Sequence, residues 1–126
     1  MPAYHDTDAA FGMRAPHPED PRVVALWGEL DILAAHHLAD RLQNLFPGQG
    51  GTLVADLRDV TFLDCSGLSM LLRVQERLRA RQARLILVLT DPFLLRVIRL
   101  AGLADALRVA ADLDSALSWP TRDVPA

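Results

Sequence analysis

Apolar residues alternate along the chain between short compact runs and longer stretches with helical spacing, and that alternation predicts the elements. "VVALW" (Val23 to Trp27) is a β-favouring run ended by Gly28. "LAAHHLADRLQNLF" (Leu33 to Phe46) places Leu38, Leu42 and Leu45 at helical spacing and stops at "PGQGG" (Pro47 to Gly51). "TLVADL" (Thr52 to Leu57) barely alternates, so it predicts a strand covered on both faces. A helix opening near Ser66 puts Leu68, Leu71, Leu72 and Leu78 on one broad apolar stripe. Arg77, Arg79 and Arg81 at its far end suit the negative end of the helix dipole. "RLILVLT" (Arg84 to Thr90) predicts a third central strand. Asp91 then reads as an N-cap, Pro92 as the first residue of another helix and Gly102 as its stop. "LRVA" (Leu107 to Ala110) predicts a short strand and "DLDSALSW" (Asp112 to Trp119) a last helical segment.

Strands alternating with helices over short links define an α/β domain, and strand–helix–strand units favour right-handed parallel crossovers. The expected architecture is therefore a small mixed, largely parallel sheet flanked by helices. In such sheets, function gathers beyond the carboxyl ends of the strands. Two stretches qualify, "GELD" (Gly28 to Asp31) and "FLDCSG" (Phe62 to Gly67). Residues 1–21 hold four of the eight prolines together with Asp6, Asp8, Glu19 and Asp20. They read as a flexible tail in which Phe11 to Arg14 is a candidate edge strand.

Composition narrows the function classes. With 126 residues, 51% of them hydrophobic, the chain can build one core and one domain. The net charge is −3, and all 13 basic residues are arginines scattered from Arg14 to Arg122. Without a basic patch interleaved with aromatics, a direct nucleic-acid binder is not expected. No apolar run approaches the roughly 18 residues of a membrane span, and the acidic N-terminus does not resemble a secretory signal. The lone cysteine, Cys65, suits a reducing cytoplasm.

The candidate chemistry lies in "DCSG" (Asp64 to Gly67). A helix start leaves backbone N–H groups unpaired and carries partial positive charge. Asp64 or Ser66 can satisfy one of those donors, and Gly67 permits close approach of a tight turn or a docking partner. A hydroxyl here is also a candidate for phosphorylation, which adds roughly −1.5 to −2 charges. The helix N-terminus would accommodate that charge, while Asp64 and Asp31 would repel it if the two segments meet. Cys65 has two readings, a thiol activated at a helix start or a small buried hydrophobe beside an opposing Asp64. His36 and His37 are adjacent and point about 100° apart on a helix, so they form no i, i+4 ligand pair. No catalytic constellation, metal set, cofactor motif or phosphate-cradling loop is present, and the chain reads as a binding module rather than an enzyme.

Three blocks, in order, resemble the STAS family, the domain of sulphate transporters and anti-sigma factor antagonists. "GELD" (Gly28, Glu29, Leu30, Asp31) looks like the family's glycine–acid–apolar–Asp loop. "DLRDVTFLDCSGL" (Asp56 to Leu68) looks like its central strand and switch loop. "DPFLLRVIRLAGL" (Asp91 to Leu103) is similar to its later helix, with Pro92, Arg96 and a terminal Gly102–Leu103. The resemblance covers residues 22–118, leaving 1–21 and 119–126 as tails. It implies a four- or five-stranded sheet flanked by helices. It also implies a partner, an anti-sigma factor with an ATP-binding kinase fold, which the unphosphorylated domain binds and so frees a sigma factor. The resemblance assigns the docking face to Gly28, Glu29, Asp31, Asp64, Cys65, Ser66, Gly67 and Leu68, although helical spacing equally makes Leu68 core.

One departure bears on regulation. The family's phosphoacceptor directly follows the loop aspartate, and that position is Cys65, with serine one place later at Ser66. Three readings follow: Ser66 as a shifted acceptor, a partner-binding module without phosphorylation, or redox control through Cys65. STAS-like domains also regulate membrane transporters, so an accessory subunit of a transport system is the alternative function. A thiol enzyme with Cys65 as nucleophile is a third.

Overall fold

The computed structural model describes residues 10–14, 20–45, 50–103 and 106–120. His5, His17, the stop at residues 46–49 and the C-terminal tail from 121 fall outside the described residues. The chain runs β1 (Phe11–Arg14), β2 (Val23–Leu30), α1 (Ile32–Asn44), β3 (Thr52–Leu63), α2 (Cys65–Ala80), β4 (Arg84–Val88), α3 (Pro92–Leu100), β5 (Arg108–Ala110) and α4 (Leu113–Leu117). The five strands lie side by side in sequence order. β1 is antiparallel to β2, and every other neighbouring pair is parallel. The fold is the largely parallel sheet flanked by helices that the sequence predicts.

Strand alternation divides the core between the two faces of the sheet. Val24, Leu26, Leu53, Ala55, Leu57, Leu85 and Leu87 pack with Leu38 and Leu42 of α1, with Leu71, Val74 and Leu78 of α2, and with Leu94 and Ile98 of α3. On the opposite face Val23, Val54, Ile86, Val88 and Ala110 pack against Ala116, Leu113 and Leu117 of α4. Fully burying one leucine-sized side chain contributes about 1.5–3 kcal/mol, so the larger helical layer supplies most of the favourable term.

Several boundaries differ from expectation for local physical reasons. β2 does not end at Gly28 but continues to Leu30, through a register irregularity between Gly28 and Glu29. Gly28 has φ +84°, and a Cβ there would lie 2.0 Å from the carbonyl oxygen of Ala10. The glycine therefore marks a bulge and the close approach of β1, not a strand stop. β3 likewise runs beyond Leu57 to Leu63, paired through Glu29–Phe62 and Leu30–Leu63. Along β3 the exposed Arg58 pairs at 2.8 Å with the mostly covered carboxylate of Asp56.

β1 lies within residues 1–21, so the sheet begins ahead of the boundary at residue 22. Gly12 stands opposite Trp27, whose indole would lie 2.4 Å from a Cβ at that position. Arg14 sits over the same ring at 5.9 Å and pairs with Asp59 at 3.2 Å. At the other end, buried Arg84 donates to Thr52 Oγ1 at 2.9 Å and to the carbonyl oxygens of Trp119 and Pro120. The first two residues after the expected boundary at 118 are thus held to the starts of β3 and β4.

Candidate functional site

Because β2, β3 and β4 are parallel, α1, α2 and α3 all begin at one edge of the sheet, beyond the strand carboxyl ends. An aspartate caps each of these starts. Asp31 Oδ1 accepts from Leu33 N–H and Ala34 N–H, both at 3.1 Å. Asp64 Oδ1 accepts from Ser66 N–H at 2.9 Å and Gly67 N–H at 3.1 Å. Asp91 Oδ1 accepts from Phe93 N–H at 2.8 Å. Asp31 directly follows β2 and Asp64 directly follows β3, so each strand passes into its helix through a single capping residue.

That economy changes the roles of the expected site residues. Cys65 is the first residue of α2 and is exposed, and Ser66 follows half-buried. Asp31 and Asp64 are half-buried with one oxygen engaged in capping, and Glu29 is exposed. Gly67 and Leu68, assigned to the docking face by resemblance, are buried instead. A Cβ on Gly67 would lie 2.3 Å from the carbonyl oxygen of Leu30 and 2.8 Å from Leu63 Cδ1. Gly67 therefore seats the first turn of α2 against the end of β2, and Leu68 joins the core beneath it. Both support the edge from below. Gly28 does the same for β1, which leaves Glu29, Asp31, Asp64, Cys65 and Ser66 as the motif residues with exposed or half-buried side chains at this edge.

The strongest surface feature of the edge is apolar, and the motif pattern does not single it out: Phe62 and Phe93 lie inside the three motif blocks, Ile32 and Leu33 outside them. Ile32 is 73% exposed, Leu33 54%, Phe62 45% and Phe93 66%. Ile32 and Leu33 open α1, Phe62 closes β3 and Phe93 opens α3, so all four lie at the same end of the sheet. The signal was present in α1: Ile32 and Leu33 fall off the stripe formed by Ala34, Ala35, Leu38 and Leu42. Apolar residues off the buried stripe of their own helix need another partner or stay wet.

Between α1 and α2 an open groove of about 380 Å³ is lined by Ile32, His36, Cys65, Ser66, Ser69 and Arg73. His37 points elsewhere and stacks on Phe11 at 5.9 Å between centroids, as adjacent positions on a helix require. Among the described residues, no group of three or more His, Cys, Asp or Glu side chains is placed to hold a metal ion. Among the same residues, no helix is long and apolar enough to cross a membrane.

The capping geometry has a measurable consequence. Asp31→Ala and Asp64→Ala are each expected to lower stability by about 1 kcal/mol in urea unfolding. Asp31→Asn and Asp64→Asn should stay within a few tenths of wild type, since asparagine caps nearly as well (about ≤0.5 kcal/mol). The asparagine variants, not the alanines, isolate what the charge contributes to binding.

Comparison with known proteins identifies the family. The STAS domain profile matches residues 13–116. The chain belongs to the STAS domain family. The match starts inside β1 and ends inside α4, so it spans the whole sheet. The crystal structure of an anti-sigma factor antagonist from Mycobacterium paratuberculosis superposes on this STAS domain with a TM-score of 0.73. It is 27% identical and covers 86% of this chain and 92% of that one. Among curated relatives, the anti-sigma-B factor antagonist of Listeria monocytogenes is 29% identical over 82 residues, 65% of this chain and 72% of its own. The anti-sigma F factor antagonist of Lysinibacillus sphaericus is 30% identical over 82 residues, 64% of this chain and 70% of its own.

Proposed function

We propose that this STAS domain is an anti-sigma factor antagonist. It would dock the edge where α1, α2 and α3 begin onto an anti-sigma factor of the ATP-binding kinase fold, and so free a sigma factor. The observation that carries the reading is the set of four exposed apolar side chains, Ile32, Leu33, Phe62 and Phe93, around the capping aspartates. Apolar anchors amid polar groups are how protein interfaces gain affinity and orientation. The named functions of the curated relatives point the same way. The domain acts by binding, not by catalysis.

The edge also bears on regulation. The position directly after Asp64 is exposed and holds a thiol, while the nearest hydroxyl, Ser66, is half-buried beside the α1–α2 groove. That arrangement supports a module that binds without a phosphate switch, controlled by its abundance.

The test is direct binding. The purified protein is expected to form a complex with a kinase-fold anti-sigma factor encoded in the same genome, measured by calorimetry. Leu33→Asp should weaken it at least tenfold, about 1.4 kcal/mol, with an unchanged unfolding midpoint. Leu33 is more than half exposed, and aspartate is favourable in the first turn of a helix, so folding should not suffer. Failure of the wild-type protein to bind any such factor refutes the proposal.

A further inference from the structure

α3 is amphipathic in an unusual way. Leu94 and Ile98 are buried in the core, yet Phe93 and Leu100, seven residues apart and on one helical face, are 66% and 79% exposed. Half-buried Val97 lies between them, so an apolar strip runs the length of the outer flank. Arg96 and Arg99 stand exposed beside it. The helix holds no acidic residue, and neither arginine makes an ion pair among the described residues. A chain of net charge −3 thus carries a local, uncompensated positive face alongside exposed leucine and phenylalanine.

We propose that the outer face of α3 extends the docking edge and takes an acidic, apolar segment of the protein partner. The inference rests on the docking function above, since Phe93 belongs to both surfaces. The strip fits an amphipathic segment whose apolar side chains cover Phe93, Val97 and Leu100 and whose carboxylates meet Arg96 and Arg99. A membrane surface is the other occupant that basic and apolar residues suit, and the geometry disfavours it. The helix is nine residues long and its strip holds only Phe93, Val97 and Leu100, too little apolar area for stable anchoring in a bilayer surface. The overall negative charge would also oppose adsorption to anionic lipid.

The test uses the full chain and the anti-sigma factor that binds it. Leu100→Glu and the double variant Arg96→Glu/Arg99→Glu are each expected to weaken the complex about tenfold. The double variant should also flatten the salt dependence that wild type shows between low and physiological ionic strength. Both side-chain sets are exposed, and glutamate in the last turn of α3 opposes the helix dipole only weakly. Both variants should therefore stay folded with slightly lowered midpoints, and are compared at a temperature where each is fully native. Retained affinity in both variants, with Leu33→Asp still disruptive, overturns the α3 inference and leaves the edge reading standing. Loss of binding in Leu33→Asp and in both α3 variants supports the two together. Flotation with phosphatidylserine vesicles but not phosphatidylcholine vesicles, abolished by Leu100→Glu while partner affinity is unchanged, assigns the strip to lipid and also overturns it.

Discussion

Gly67→Ala is expected to destabilise the domain by about 3 kcal/mol, the upper range for forcing atoms into a packed site. For a domain near this size that corresponds to a fall in melting temperature of roughly 10–20 °C. The cause is a single methyl group aimed at the backbone. The added Cβ would meet the Leu30 carbonyl at 2.3 Å, and a strand carbonyl cannot rotate away as a flexible side chain can. Relief requires the start of α2 to lift from β2, which would disturb the Asp64 cap on Ser66 and Gly67 and the packing of Leu68. Gly67→Arg should yield no folded protein. If Gly67→Ala instead melts with wild type and loses only partner binding, Gly67 is a contact residue and its assignment as a support is wrong.

The same position shows how far the sequence can be read. That a glycine lies three residues after an N-capping aspartate is visible in "DCSG". That the glycine is obligatory follows from Leu30, 37 positions earlier (67 − 30), whose carbonyl it faces. No local pattern encodes that distance. Apolar periodicity located α1, α2 and the central strands because burial sets the period of each element directly, while cap and stop residues located α3. It misplaced the ends of β2 and β3, where a bulge breaks the period of two and the exposed Arg58 and Asp59 resemble a loop.

The edge strand β1 was harder to see for a related reason. Four residues carry little periodicity, and its stability comes from the β2 ladder and from the Trp27 ring lying over Gly12. The proposed docking edge is legible in the sequence only as motif positions. Capping aspartates have sequence spacing, and the three at the edge follow it. An exposed Phe62 or Phe93 becomes informative only once the topology brings both to the same end of the sheet. The capping motif and the exposed apolar side chains thus share one end of the sheet, with Gly67 and Leu68 packed beneath them.

On the proposed reading of a module without a phosphate switch, Cys65→Ser is expected to create such a switch. Incubated with ATP and a kinase-fold anti-sigma factor, the variant should gain one phosphate by intact mass, while wild type and Ser66→Ala should gain none. Cysteine and serine differ by one atom, and position 65 is exposed at the first turn of α2, so the substitution should leave the fold intact. Position 66 is no equivalent site. One residue along a helix turns a side chain by about 100°, and phosphoryl transfer tolerates misplacement on the order of only 1 Å. Phosphate on residue 65 would place roughly −1.5 to −2 charges at the groove it shares with Ile32, His36 and Arg73. The helix N-terminus can accommodate that charge in the free protein, but an interface closing over it must desolvate it. Phosphorylated Cys65→Ser should therefore bind at least about 100-fold more weakly, a loss of about 2.7 kcal/mol, while wild type keeps its affinity with or without ATP. A phosphate on wild type that Ser66→Ala removes would show instead that the acceptor has moved one residue along α2.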